Sequence, residues 1–364
     1  MKKKNNHFVP QFHLRQWSKN KKTIMTYAIK KDIYVPNASI KNQASKNYLY
    51  GHNENFENLL CKFEQTASLI YNKIITTATL DCLNDYEYDF IYFYINLCNE
   101  RTNSRAEESS EFLTELVRTA MKMEKAHNSP LTENITLEQI ENAHFSYDNP
   151  NFMSVKAIIE SYPITFDLDC ILLQNTTKNE FLTSDYPTIV YNLFSNKHNI
   201  FSGWGMASGG IIYILTINPK FALMLYDSVA YDCDVKNNIV KIDNINDIKE
   251  INRLTILNSE FCVYGSENFP HNYLKNLKKN LPNIKSSPYD IWGDNVNSTL
   301  IALHRKRLNY LANFSFLKIN DNYDKIPIPR NAAGIIRPAA EEMEKILKNF
   351  WNKEKKPKEH KDIP

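Results

Sequence analysis

Four short apolar runs, "ITFDLDCILLQN", "EFLTSDYPTIVYN", "GGIIYILTINPK" and "FALMLYD", follow one another between Ile164 and Asp227, separated by Asn, Gly, Pro and Ser. Runs this short, closed by turn-forming residues, read as strands with tight connections and predict a mostly antiparallel sheet. On either side the apolar spacing is helical instead. Phe56, Leu59, Leu60, Phe63, Ala67, Ile70 and Ile74 predict a helix over 55–77. Ile91, Tyr94, Ile95 and Cys98, then Phe112, Leu116 and Met123, predict a second from about Tyr86 to Ala126, with a break near Thr102 to Ser104. "TLEQIENAHF" and "FMSVKAIIE" read as two capped helices, and helical spacing returns at Ile245–Phe261, in "TLIALHRKRLNYLANFSF" and in "PAAEEMEKILKNFW". Before the sheet, "TIMTYAIKKDIYVPN" reads as a hairpin or as a strand with an irregular turn. Strands gathered between helical blocks predict an α+β fold rather than alternating βαβ units.

At 364 residues, 43% of them apolar, the chain can bury a substantial core. It has no run near the roughly 20 apolar residues of a membrane-spanning helix, and its lysine-rich start leads into no signal segment, so a cytoplasmic protein is expected. The six cysteines form no C-x-x-C pair and read as reduced thiols rather than a zinc ribbon or a disulfide framework. A net charge of +3 does not by itself imply nucleic-acid binding. The lysine clusters, Lys2 to Lys4 and the tail "KNFWNKEKKPKEHKDIP", read as solubilising ends. Internal repeats, G-x-G-x-x-G, Walker loops and H-E-x-x-H are all absent from the sequence.

Lysine outnumbers arginine roughly fourfold beside abundant Asn and Ile, a bias expected of an AT-rich bacterial genome. In such a background an arginine within an amphipathic pattern points to a need for its planar, five-donor fork. Arg101 and Arg105 continue the inward stripe of Ile91, Tyr94 and Cys98. Two buried cations require partners, and Glu64, Asp185 or an anionic ligand are the candidates. Glu64 borders the apolar stripe of its helix, between Leu60 and Tyr71. In "HFVPQFHLRQW", a helix from Pro10 to Ser18 puts Gln11 and Arg15 side by side on its flank, with His7 just before its amino end. In "FLTSDYPTIVYN", Ser184 and Asp185 end a strand ahead of Tyr186, held extended by Pro187. The expected site therefore gathers His7, Gln11, Arg15, Glu64, Arg101, Ser184 and Asp185 in one cleft. Three plainer accounts compete with it: a solvated helix flank, a structural Arg–Glu network, and an Asx or Ser turn at 184–185.

"HFVPQFHLRQW", "FLTSDYP" and "INRLTILNSEFCVYGS" resemble a widespread bacterial family, the domain of unknown function four-two-three-eight, whose members open with His-x-Val-Pro-Gln-Phe-x-Leu-Arg. The likeness runs from His7 to about Asn268. It implies one α+β domain over 1–268, helical to about 162 and β-rich beyond, with 269–364 as a helical extension ending in the basic tail. The family pattern falls on His7, Pro10, Gln11, Leu14, Arg15, Glu64, Arg101, Ser184, Asp185 and Pro187, and departs from the usual Arg-Thr-Pro at Asn103.

The resemblance brings no reaction, so the chemistry has to come from the residues. One reading is a phosphodiester hydrolase, a nuclease-type effector. In it His7 is general acid or base, Arg15 and Arg101 neutralise phosphoryl charge, and Glu64 with Asp185 orient the histidine or hold magnesium or manganese. A metal-free variant would use His7, Arg15 and Ser184. The others are a non-enzymatic module binding a carboxylate, a nucleotide or another phosphorylated small molecule, and a purely structural ion network. Nucleic acid as partner predicts a path to His7 lined by basic or aromatic groups, drawn from Tyr27, Tyr48, Tyr50, Trp204 and His304-Arg305. A small-ligand site predicts a closed, mostly apolar pocket. A structural network predicts an Arg101 capped on all sides and no cavity beside His7.

Overall fold

Every residue from Phe90 to Glu100 is buried, although this stretch includes Asn96, Asn99 and Glu100. A helix covered all round lies in a core rather than upon it, and the rest of the chain is built about this one. The structure, a computed structural model, describes residues 5–50, 54–200, 203–267, 269–279, 281–282, 289–292, 300–303, 308–326 and 335–354.

In chain order the first part holds β1 (Asn5–His7), α1 (Gln11–Leu14), β2 (Thr23–Ala28), β3 (Ile33–Ser39) and β4 (Ser45–Asn47). Five helices follow: α2 (Glu54–Thr77), the central α3 (Asp85–Glu100), α4 (Asn103–Ala126), α5 (Leu137–Asn142) and α6 (Pro150–Ser161). The strand-rich part runs through β5 (Asp169–Asn175), β6 (Thr183–Ser184), β7 (Thr188–Tyr191), α7 (Leu193–Lys197), β8 (Ile212–Thr216), β9 (Phe221–Tyr226), β10 (Tyr231–Cys233) and β11 (Ile239–Ile242). Then come α8 (Ile245–Asn258), β12 (Cys262–Gly265), α9 (His271–Lys278), β13 (Tyr289–Trp292), β14 (Leu300–Leu303), β15 (Leu317–Ile319) and α10 (Pro338–Glu354). The class is α+β, as the sequence predicts. Among the described residues no helix is long and apolar enough to cross a membrane.

The main sheet has the order β11-β5-β9-β8-β7 and is antiparallel except for the β11–β5 pair. Its strands alternate between two cores. Tyr213 and Leu215 of β8 pack with Ile91, Tyr94 and Ile95 of α3, while Ile212 and Ile214 pack with Ile248, Ile251 and Leu254 of α8. Apolar residues on both faces explain why these runs read as continuous rather than alternating. The second sheet, β3-β2-β12-β6, joins the hairpin near the chain start to strands more than 150 residues later. The helical and β-rich halves are therefore interlocked through a shared sheet.

The predicted helix over "TLIALHRKRLNYLANFSF" is a correction. Leu300–Leu303 is a strand paired with β13, and residues 308–316 are not helical. The burial shows why: Ala312, Phe314 and Phe316 are buried while Asn313 and Ser315 are exposed, a period of two. The extension is also stitched to the domain, since β15 pairs with β10 and Arg337 forks onto Asp167 at 2.8 and 2.9 Å beside α10.

Candidate functional site

Three separate segments build one cleft. β1 pairs antiparallel with β4, setting His7 opposite Ser45. Pro10 stands at the N-cap of α1, where its missing amide leaves no donor unpaired, and α1 continues as a short 3-10 turn over Arg15–Trp17. Leu14 and Trp17 turn into the core, and Phe12 packs edge-on against Tyr71 of α2. Gln11 and Arg15 are left on the other flank. From α2 come Glu57, Cys61, Glu64 and Ser68, each one position along from the core residues Phe56, Leu60, Phe63 and Ala67. Arg101 rises from the end of α3. The cleft encloses about 690 Å³, with exposed Arg15, Lys41 and Gln65 at its edge and buried Asn6, Tyr50 and Arg101 at its floor.

Arg101 is only 1% exposed. It is the C-cap of α3, with φ −83° and ψ 4°, and the next residue, Thr102, caps α4 by accepting from the Arg105 amide at 3.3 Å. Two helices meeting end to end fix where the guanidinium points. Its Nη2 donates to Glu64 Oε1 at 2.8 Å and to the His7 carbonyl at 2.9 Å, and Nε and Nη2 approach the Tyr50 hydroxyl at 3.4 and 3.3 Å. Nη1 is buried with no partner among the described residues. Asn103 occupies the first position of α4, a place where proline is also suited to start a helix. Arg105 is paired away from the cleft, with Glu100 at 2.7 Å and Glu108 at 2.9 Å.

A chain of hydrogen bonds runs from Arg15 to His7 and fixes its chemistry. Arg15 Nη2 donates to Gln11 Oε1 at 2.9 Å. Since arginine can only donate, the amide oxygen must face it, and Gln11 Nε2 then donates to His7 Nε2 at 3.0 Å. The proton of the imidazole therefore lies on Nδ1, which donates to the Gln43 carbonyl at 3.0 Å. His7 is held neutral with its Nε2 lone pair turned toward Gln11. Burial lowers its pKa below the ordinary histidine value, and Arg101 and Arg15 push the same way against the Gln43 carbonyl and Glu64.

Ser184 and Asp185 are absent from the cleft lining, contrary to the expectation of a single site. Ser184 Oγ donates to the Tyr186 carbonyl at 2.7 Å and accepts from its amide at 3.1 Å. Asp185 accepts from the amides of Glu260, Phe261 and Cys262 at 3.0, 2.7 and 3.1 Å. Burial pushes its carboxyl up to about 6 while these amides pull it down. Both residues serve the local backbone, which is the turn account weighed above.

The pairing of Glu64 with Asp185 around magnesium or manganese does not fit these residues. Glu64 Oε1 is bound by Arg101 and both Asp185 oxygens by main-chain amides. The other carboxylate of the cleft, Glu57, accepts from Asn6 Nδ2 at 2.8 Å and stands two helical turns from Glu64, roughly 10 Å along the axis. Among the described residues no three His, Cys, Asp or Glu side chains are arranged to hold a metal ion.

Of the aromatic and basic groups expected to line a path to His7, Tyr50 is in the cleft and Tyr48 lines a neighbouring groove beside α4. Tyr27 and Trp204 are core residues elsewhere, and His304-Arg305 lie outside the described residues, as do Lys2 to Lys4 and the basic tail from 355. Sequence reasoning missed Asn6, Lys41, Glu57, Cys61, Gln65 and Ser68. A signal for the α2 members was available: positions 57, 61, 64 and 68 repeat at helical spacing beside the apolar stripe.

The family described as "Protein of unknown function (DUF4238)" matches residues 5–269. The chain belongs to that family. All the cleft residues, from Asn5 to Arg101, fall inside the matched span, which ends shortly after β12. Neither a curated protein nor a solved structure matches the chain.

Proposed function

We propose that the cleft binds and cleaves a phosphodiester, with His7 as general base, Arg15 and Lys41 as the cations that receive the phosphoryl group, and Arg101 as the buried positive charge beneath them. The observation that carries this reading is the neutral His7 imidazole, tautomer fixed by Gln43, at the edge of a cleft whose three cations outnumber its two carboxylates, Glu57 and Glu64. A base needs a lone pair, which His7 Nε2 offers once the Gln11 amide moves aside, and charge developing on phosphoryl oxygens needs fixed donors around it. The exposed Arg15, Lys41 and Gln65 favour an extended polar chain over a small molecule in a closed apolar pocket. The cavity beside His7 departs from a purely structural network, while Arg101 itself, 1% exposed and bonded to Glu64, Tyr50 and the His7 carbonyl, meets its other mark.

A second reading, an anion-binding module without catalysis, has one observation of its own: the Gln11 amide occupies the Nε2 lone pair. Incubating the purified chain with labelled single- and double-stranded DNA and RNA, with and without magnesium and manganese, separates the two. Cleavage lost in His7→Ala with the fold retained supports the hydrolase. Binding without cleavage in every condition moves the conclusion to the module.

A further inference from the structure

Resting on the hydrolase reading, we infer that the substrate is RNA and that the attacking group is the ribose 2′-hydroxyl beside the scissile phosphate. The inference starts from what the cleft offers a nucleophile. His7 presents a neutral imidazole with Nδ1 committed to Gln43, so the ring accepts a proton only at Nε2. The carboxylates are engaged, Glu64 by Arg101 at 2.8 Å and Glu57 by Asn6 at 2.8 Å, and their spacing on α2 does not suit a shared divalent cation. A single imidazole base without a metal activates free water poorly. A hydroxyl on the ribose carbon next to the one that carries the phosphate ester gains the large effective concentration of an intramolecular reaction, and among nucleic acids only RNA carries it.

The step balances without a co-reactant. The 2′-hydroxyl displaces the Gln11 amide and gives its proton to His7 Nε2, while a bond forms between the 2′-oxygen and phosphorus. The bond from phosphorus to the 5′-oxygen breaks, and that oxygen takes a proton from water in the open cleft. His7 returns its proton to solvent. The products are a 2′,3′-cyclic phosphate and a 5′-hydroxyl. Arg15 is placed to couple substrate entry to release of the base: a phosphate drawing its guanidinium away from Gln11 Oε1, now 2.9 Å distant, frees Gln11 to leave Nε2.

The test uses the full chain in EDTA with three labelled strands: all-RNA, all-DNA, and DNA carrying one ribonucleotide. Cleavage of the first, cleavage of the third only at the ribonucleotide, and a cyclic phosphate end support the inference. His7→Gln, checked for an unchanged melting temperature, is expected to slow it about 10²- to 10⁴-fold. Cleavage of all-DNA in EDTA, or cleavage that requires added magnesium or manganese, overturns the 2′-hydroxyl route and leaves the hydrolase reading standing. A His7→Gln variant as active as the parent overturns the assignment of the base. Absence of cleavage in all strands, with and without metal, by folded protein overturns both readings.

Discussion

Arg101 Nη2 donates to the main-chain carbonyl of His7 at 2.9 Å, so the buried cation holds the backbone of the histidine and leaves its ring to Gln43 and Gln11. The same nitrogen reaches Glu64. One fork thus ties β1, α2 and the end of α3 together, and it is the part of the site most exposed to a substitution test.

Arg101→Ala leaves Glu64 and the His7 carbonyl without their donor and should destabilise the fold by about 3–5 kcal/mol. Arg101→Lys keeps the charge but not the planar fork, and should recover only part of that loss. Urea unfolding measures both. A loss below about 1 kcal/mol for Arg101→Ala would show that the network in the cleft floor is not formed.

Acid should weaken the protein through buried histidines. His13 lies between Tyr71 Oη at 3.3 Å and Thr183 Oγ1 at 2.9 Å, and burial pushes its pKa down to about 3. His7 is lowered as well. Because each histidine binds its proton more weakly in the folded chain, the unfolded chain holds more protons between the folded value and about 6.5. The histidine contribution is then complete above about 6.5 and is lost as the pH falls below it, by about 4–5 kcal/mol for His13 once pH 3 is passed, while the raised carboxyl of Asp185 works the other way below about 6. His13→Gln, which can still bond both hydroxyls, should flatten the acid limb of a stability-against-pH curve. Superimposable limbs for the two proteins would contradict the burial of a neutral His13.

Gln11→Glu replaces the amide that faces His7 Nε2 with a carboxylate. An opposite charge in direct contact stabilises the imidazolium, so the His7 pKa should rise. Imidazole resonances followed by NMR across pH 4 to 9 report it directly, and an unmoved His7 titration would mean that residue 11 does not touch the ring in solution.

Asn103→Pro places a proline at the first position of α4. Thr102 is already extended, with φ −73° and ψ 154°, as a residue before proline must be. The substitution removes surface contacts to Lys46 and Glu107, yet it should raise stability by about 0.4–1 kcal/mol by restricting the unfolded chain. A drop in melting temperature would place the helix start elsewhere.

Arg337→Lys should loosen α10. The guanidinium forks onto Asp167 and also donates to the Ser208 carbonyl at 2.7 Å and the Ile164 carbonyl at 3.0 Å, a geometry lysine cannot reproduce. Hydrogen exchange over residues 338–352 should speed up about tenfold, with the α3 amides unaffected. Equal exchange in both proteins would show that the helix is anchored by other contacts.

What the sequence made legible followed from periodicity. The helix expected over 55–77 and the break expected near Thr102 to Ser104, which falls at 101–102, followed from helical spacing, and β5, β7, β8 and β9 from short apolar runs, whereas β11 carried no such signal; Arg101 announced its need for a partner by standing where an apolar residue belongs. The cleft was half legible. His7, Gln11, Arg15, Glu64 and Arg101 do converge, because helix geometry fixes neighbours at i and i+4. Ser184 and Asp185 do not, since a polar strand end looks alike whether it serves a cleft or caps its own turn. The segment 300–316 misled because Leu300, Leu303, Leu308 and Leu311 mimic a helical repeat, while the alternation that governs it starts only at Ala312.

The abutment of α3 and α4 also gives this chain a built-in ruler. Each residue added to or removed from α3 ahead of Arg101 would swing the guanidinium about 100° around the helix axis and strip the cleft of its floor, so length variation is expected to collect in the exposed connections and to spare this helix.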